Sequence, residues 1–260
     1  MSPVVPAAEP PVEGARPSTY LVALDIDGTL LSWDEEPPHH EHISDAVREA
    51  VAALRDAGHH PVISTGRTVL ATIPVARELG LTEGWLVCSN GAVTARIDPT
   101  TPEGFAIEER VTFDPAPALR AVLEGIPGAL VAVEELGLGH RVNAPWPEGE
   151  ITGRQEVVPF EQLASEPVTR VVVRSPERTR EDFHDLVDRL GLEDVTYAIG
   201  WTAWMDIAPQ GVTKGTALEG SAAGSESSRG RPSRSVTAAT TSGCSSGPRA
   251  ASRWATPTTS

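Results

Sequence analysis

Apolar and polar positions along this chain fall into blocks that read as strand, helix and strand in turn. Tyr20–Leu24 is a short apolar run cut off by a polar, glycine-containing turn. It is too short for a helix, and its unbroken apolarity predicts a strand buried on both faces. Ile43, Val47, Ala50, Val51 and Leu54 then recur at helical spacing, and Gly58 stands where a left-handed residue ends a helix. HPVISTGR supplies a second strand, so the helix between is the crossover of a β-α-β unit. Val69–Leu79 is again helical, with Pro74 expected to kink or restart it because proline lacks a backbone donor. Trp85–Ser89 is a third short strand, and Asn90-Gly91 ahead of an alternating stretch suggests a hairpin turn.

From about residue 94 to 199 the pattern changes to short β-rich runs with two helices. Ala92–Ile97, Phe105–Val111, Ala129–Glu134 and Thr169–Arg174 read as strands and Pro115–Leu123 as a helix. The second helix has Ser175 as N-cap, Pro176 at its first position, Phe183, Leu186, Val187 and Leu190 on one face, and Gly191 beyond its end. Residues 1–18 are rich in Pro, Ala and Glu, with no apolar stretch long enough for a signal peptide or membrane span, and read as a disordered leader.

With 260 residues the chain has room for a full core, as one large domain or two modest ones. A formal net charge of −15 argues against a nucleic-acid or membrane-surface role, since either calls for a basic patch. Any anionic substrate must be drawn in by a local metal or lysine. Cys88 and Cys244 are the only cysteines, so no disulfide framework is implied and a reducing cytoplasm fits.

The chemistry concentrates where the first strand ends. Asp25 and Asp27 lie at the C-terminal edge of that strand, where ligands bind in open α/β sheets. Two carboxylates one residue apart, followed by Gly28 and Thr29, suit a Mg²⁺-assisted phosphoryl transfer. Asp25 can attack phosphorus and hold the metal, and Asp27 can give a proton to the leaving oxygen and later take one from water. Gly28 lets the backbone come close to a phosphoryl oxygen, and the N–H groups after it can form an anion nest. In SWDEEPPHHEHIS, His39, His40 and His42 stand beside Asp34, Glu35 and Glu36, but without the spacing of a helical metal motif. A solvated loop is the expectation there.

DIDGTL resembles the first motif of the haloacid dehalogenase superfamily of phosphatases, and STGR, one β-α-β unit later, is similar to the second. The segment Asn90-Gly91-Ala92 resembles the NGA segment of the Cof-type members, which carry a large α/β cap between the second and third motifs. The resemblance implies an α/β fold, a Rossmann-like parallel-sheet core with an inserted α+β cap domain. The core is expected at 19–93 and 200–220 and the cap at 94–199, closing over the site to exclude water and select the leaving group. Trp204–Ala208 is the expected return to the core, with Asp206 and Ile207 in the place of the family's Asp/Glu-Ile pair. In PQGVTKGTAL, Lys214 follows a glycine-containing loop and opens a helix, and it is the only lysine in the chain. There its ammonium can neutralise both the phosphoryl group and Asp25.

The resemblance implies a Mg²⁺-dependent cytoplasmic phosphatase acting on a small phosphorylated metabolite through an aspartyl-phosphate on Asp25. Gly28, Thr29, Thr65, Gly66 and Lys214 would bind the phosphoryl group, Arg67 and Asn90 would contact the substrate, and Asp25 and Asp27 would hold the metal. Within the cap, His140 and Arg141 are candidates for which a surface role is expected.

At Gly220 the resemblance stops. Of the 36 acidic residues in the chain only Glu226 falls within 221–260, a segment without hydrophobic periodicity that reads as a disordered tail. Back-translating Val236–Ser245 and reading one base upstream permits GDGxNDxxML, preceded by VAV, the family's final metal-binding motif. The expectation is a frameshift close to Glu219–Gly220. As written, the polypeptide would then be a catalytically impaired or non-catalytic remnant that binds phosphate esters.

Overall fold

The computed structural model describes residues 19–33, 41–175, 177–190, 192, 194–199, 203–220 and 236–239. The expected leader, His39, His40 and the acids beside them, Pro176, Gly191 and most of the expected tail lie outside the described residues.

In chain order the elements are β1 (Leu21–Leu24), β2 (Ser32–Trp33), β3 (Glu41–His42), α1 (Asp45–Asp56), β4 (His60–Ser64), α2 (Val69–Glu78), β5 (Gly84–Cys88), β6 (Val93–Ile97) and β7 (Phe105–Arg110). There follow α3 (Ala116–Gly125), β8 (Leu130–Glu135), β9 (Gly139–Val142), β10 (Arg154–Val157), α4 (Phe160–Leu163), β11 (Val171–Arg174) and α5 (Arg180–Leu190). The last are β12 (Val195–Ile199), β13 (Trp204–Pro209), α6 (214–220) and β14 (Val236–Ala239). None of the described helices is long and apolar enough to cross a membrane.

Two six-stranded sheets organise the chain. The first has the order β14-β1-β4-β5-β6-β7, with β14, β1, β4 and β5 parallel and the β6–β7 hairpin antiparallel at one edge. β1 is covered on both faces, as its unbroken apolar run requires. Leu24 packs with Ile26, Ile63 and Leu86, while Leu21 and Ala23 pack with Val62, Val87 and Leu218 of α6. Burying each of these large side chains contributes about 1.5–3 kcal/mol. α1 starts at Ser44, whose hydroxyl accepts from the Val47 N–H, the usual way to satisfy an orphan donor of the first turn. α2 starts likewise at Thr68 and runs as one helix through Pro74, so the expected restart does not occur.

The second sheet has the order β10-β9-β8-β11-β13-β12. Its pleat sorts residues by face. Val131, Val133, Val171, Val173, Met205 and Ile207 pack against Leu119, Val122, Phe183 and Val187 of α3 and α5. The alternate positions, among them Ala132, Val172 and Trp204, turn to the other side.

This topology corrects the expected boundaries in two places. Residues 94–110 belong to the first sheet, because the tight turn at Ser89–Gly91 sends β6 straight back along β5. A strand that returns through so short a turn has no other partner in reach. Trp204–Pro209 belongs to the second sheet, paired antiparallel with β11 and β12, because Met205 and Ile207 supply the apolar face that α3 and α5 cover. Nor does Ser175 cap α5. It is buried with its N–H on the Ala203 carbonyl, and the helix begins only at Arg180. One run of the expected tail, Val236–Ala239, is a strand beside β1.

Candidate active site

The C-terminal ends of β1 and β4 and the start of α6 bring the motif residues together. Asp25 follows β1 directly. Its Oδ1 accepts the Ile26 N–H at 2.8 Å, and its Oδ2 lies 2.9 Å from Lys214 Nζ. Lys214 is aimed by its own helix start. The Thr213 hydroxyl accepts the Thr216 N–H at 3.1 Å, which caps the first turn of α6. Gly91 makes this placement possible. At φ +103° it passes so close to the 213–214 backbone that a Cβ there would sit 2.3 Å from the Thr213 carbonyl oxygen.

Thr65 follows β4 and is fully buried, its N–H on the Val87 carbonyl and its hydroxyl accepting the Arg67 N–H at 3.1 Å. Asn90, at φ 57° in the left-handed region where asparagine is tolerated, donates its N–H to the Thr65 carbonyl. A Cβ on Gly66 would lie 3.0 Å from the Asn90 Oδ1. Asn90 thus acts as the hairpin turn and also stands beside Thr65 and Gly66.

Around Gly28 the structure departs from expectation. Gly28 takes φ +75°, but the N–H groups of Gly28, Thr29 and Leu30 donate to the carbonyls of Leu31, Ile26 and Ile26 at 3.0–3.2 Å. Closing this tight turn directs these donors into the chain rather than into an anion nest.

Asp27 is held differently from Asp25. Arg67 Nε lies 3.1 and 3.2 Å from its two oxygens, and Nη2 lies 2.6 Å from Oδ1. The same guanidinium reaches Glu41 at 2.6 and 3.1 Å. Burial by itself would lower the Arg67 pKa, but the hydrogen bonds to Asp27 and Glu41 outweigh it and hold it above the ordinary value. As held, Asp27 accepts from Arg67 on both oxygens. Glu41 belongs to no motif, and nothing in its sequence context marks it.

For a divalent cation this chain offers the Asp25 carboxylate and Asp27. Among the described residues no group of three His, Cys, Asp or Glu side chains could hold a metal ion. Mg²⁺ is commonly held by one or two carboxylates with water and substrate phosphate, so the two aspartates fit it as part of a ligand set.

The second sheet adds groups that no motif announced. Glu134 is buried, accepting the Ser89 hydroxyl at 2.7 Å and the Thr169 hydroxyl at 2.9 Å, and so ties the two sheets together. Burial raises its pKa, against the opposing pull of Arg170 and the two hydroxyls. Asp206, expected beside the core motif, accepts from Arg170 Nε at 2.8 Å within the second sheet. Contrary to expectation, neither His140 nor Arg141 is a surface residue, at 1% and 9% exposure. Arg141 Nη1 donates to the Gln162 carbonyl and the Ser165 hydroxyl, and Nη2 pairs with Glu166 at 3.0 Å, all within the second unit. His140 instead lines the cleft facing Asp27 and Arg67. Burial pushes the Cys88 thiol up to about 12, which removes it as a nucleophile.

Comparison with known proteins points to the same elements. Residues 22–110 match the profile of the haloacid dehalogenase-like hydrolases. A stretch of 72 residues is 42% identical to the 5-amino-6-(5-phospho-D-ribitylamino)uracil phosphatase YcsE of Bacillus subtilis, covering 28% of this chain and 26% of that protein. The chain therefore spans about a quarter of the length of this curated relative. Among solved structures, BT1666 of Bacteroides thetaiotaomicron, described among phosphatases of the haloalkanoate superfamily, superposes with a TM-score of 0.59 at 21% identity. The match covers 85% of this chain and 77% of that one. TM0651 of Thermotoga maritima gives a TM-score of 0.59 at 18% identity over 80% and 76%. At these identities the likeness concerns the fold. Motif order, sheet order and sequence match coincide on one segment: residues 22–110 are similar in sequence to the haloacid dehalogenase-like hydrolases, and the chain shares the fold of the solved structures above.

Proposed function

We propose that this chain is a phosphatase that hydrolyses a small phosphate monoester through an aspartyl-phosphate. The observation that carries the reading is the 2.9 Å contact between Lys214 and Asp25, the sole lysine on the candidate nucleophile. An ammonium there offsets the repulsion between a carboxylate and an incoming phosphoryl group. Asp25 attacks phosphorus, and Thr65 and Lys214 hold the phosphoryl oxygens, with Gly66 leaving room beside them. Asp27 protonates the leaving oxygen once Arg67 turns from it, then takes a proton from the water that cleaves the aspartyl-phosphate. Mg²⁺, held by Asp25 and Asp27, would supply further positive charge at the phosphoryl group. The named substrate of the Bacillus relative, a phosphorylated ribityl compound, is consistent with a small, hydroxylated ester.

A second reading rests on the Arg67–Asp27 pair: a chain whose acid is so held binds phosphate esters without turning them over. Phosphate release from an aryl phosphate with and without Mg²⁺ decides between the two. The phosphatase reading expects Mg²⁺-dependent release that Asp25→Asn abolishes without altering the thermal melt. Turnover that survives Asp25→Asn refutes the mechanism.

A further inference from the structure

Between the two sheets lies a cavity of about 260 Å³, slightly below the ~300 Å³ at which small-molecule pockets begin. Asp27 and Arg67 form one wall, and His140, Arg170, Trp204 and Asp206 form the other. The cavity thus opens from the acid of the proposed reaction, on the side where a leaving group must lie.

Three observations define its chemistry. His140 is 1% exposed, and its ring has one hydrogen-bond partner, the Thr152 backbone, which leaves one ring nitrogen without any. A buried polar group without a partner is costly, and a ligand entering this cavity can supply one. Burial and the nearby Arg170 hold the imidazole neutral, its pKa lowered to about 4. A neutral imidazole offers one donor and one acceptor; with one nitrogen at the Thr152 backbone, the other is left for a hydroxyl, which can donate or accept. Third, the lining carries four carboxylates, Asp27, Glu41, Glu150 and Asp206, against two guanidiniums, Arg67 and Arg170. Arg67 keeps Glu41 as a partner when it turns from Asp27, and Arg170 is paired with Asp206, so the excess of carboxylates in the lining opposes a second anion.

Resting on the phosphatase reading above, we propose that this cavity holds the leaving group, that the group is hydroxylated and uncharged, and that His140 selects it by hydrogen bonding to a hydroxyl. Trp204, its ring fixed edge-on against Trp146 at 5.5 Å, gives the carbon face of such a group a wall to rest on.

Calorimetric binding to the full chain tests this with three probes: inorganic phosphate, glycerol 3-phosphate and 3-phosphoglycerate. The last two differ by a hydroxymethyl against a carboxylate. Glycerol 3-phosphate should bind about tenfold more tightly than 3-phosphoglycerate, and His140→Leu should weaken it about tenfold, the worth of one hydrogen bond. Inorganic phosphate should bind His140→Leu as it binds the wild type, and His140→Gln, which keeps a donor and an acceptor, should recover most of the loss. Equal affinity for the two esters overturns the proposal, and needs no variant that must fold. So does a His140→Leu variant that loses inorganic phosphate to the same degree, which marks a structural role. Phosphate binding indifferent to Lys214→Ala would instead sink the phosphatase reading itself, and this inference with it.

Discussion

Replacing His140 by glutamine should flatten one limb of the pH–stability profile. In the folded chain its imidazole titrates near 4, against 6.5 unperturbed, because burial and Arg170 oppose its charge. As pH falls from 6.5 to 4 the unfolded chain takes up a proton that the folded chain refuses, so stability falls with pH across that window. A shift of this size at ~1.4 kcal/mol per unit gives a loss of about 3 kcal/mol by pH 4, a large share of the roughly 5–15 kcal/mol that holds a typical domain. Glu134 acts in the opposite sense. Its carboxyl is raised from 4.5, so its contribution is complete below that value and is lost as pH rises through the raised one. The raw wild-type curve therefore mixes the two, whereas the difference between wild type and His140→Gln isolates the imidazole. Urea denaturation at pH 7, 6, 5 and 4 should give a difference that changes by about 3 kcal/mol from one end to the other. Parallel curves, within ~0.5 kcal/mol throughout, would show that His140 is accessible to protons in the folded chain, and would remove the basis for treating it as a neutral partner for a hydroxyl.

Three further outcomes follow from the geometry. Asp27→Asn should slow hydrolysis of an alkyl phosphate more than that of nitrophenyl phosphate, because only the poor leaving group needs a proton; equal losses on both would assign Asp27 a structural role. Gly91→Ala should cost roughly 2 kcal/mol or more, since the residue is at φ +103° and its Cβ would meet the Thr213 carbonyl at 2.3 Å. The same variant should weaken phosphate binding by displacing Lys214, and a melting temperature and phosphate affinity both unchanged would contradict the close approach. A version read in the shifted frame beyond codon 220 should gain Mg²⁺ affinity and Mg²⁺-dependent phosphate release over the chain as written; calorimetric titration giving equal metal affinity in the two would end the frameshift account.

How much of this was legible in the sequence depended on how local the determining interaction was. β1, α1, β4, α2 and β5 followed from periodicity and capping because each buries a continuous apolar face, and the Lys214–Asp25 contact followed from motif order. The partition between the two sheets did not. Ala92–Ile97 reads as a strand whichever sheet it joins, and only the three-residue turn at Ser89–Gly91 commits it to β5. Trp204–Pro209 reads equally as a core strand; its membership is decided by Met205 and Ile207 meeting Phe183 and Val187, residues distant in sequence. Arg67 was singled out by its place in the STGR segment, but its partners were not, since Glu41 carries no pattern. His140 and Glu134 sit in runs whose alternation marks a face without saying what that face looks upon.

The strand Val236–Ala239 shows how little sequence a parallel edge demands. β1 pairs with β4 on one side, and its other edge holds backbone groups that any extended segment can satisfy; four residues, two of them β-branched, suffice. The register sets Val236 opposite Leu21 and Ala239 opposite Leu24. In the shifted frame the aspartate of GDG falls at the place of Thr237, opposite Val22, three residues short of Asp25. At ~3.3 Å per residue that leaves about 10 Å to cover, too far for a shared metal ion. A frame-restored strand must therefore slide by about three residues. The apolar VAV that precedes GDG in that frame would drive the slide, because it moves the run able to pair with β1 to positions 233–235 and carries the acid forward to the level of Asp25. In a frame-restored chain the same strand position would serve, and register rather than fold would decide which side chain reaches a metal.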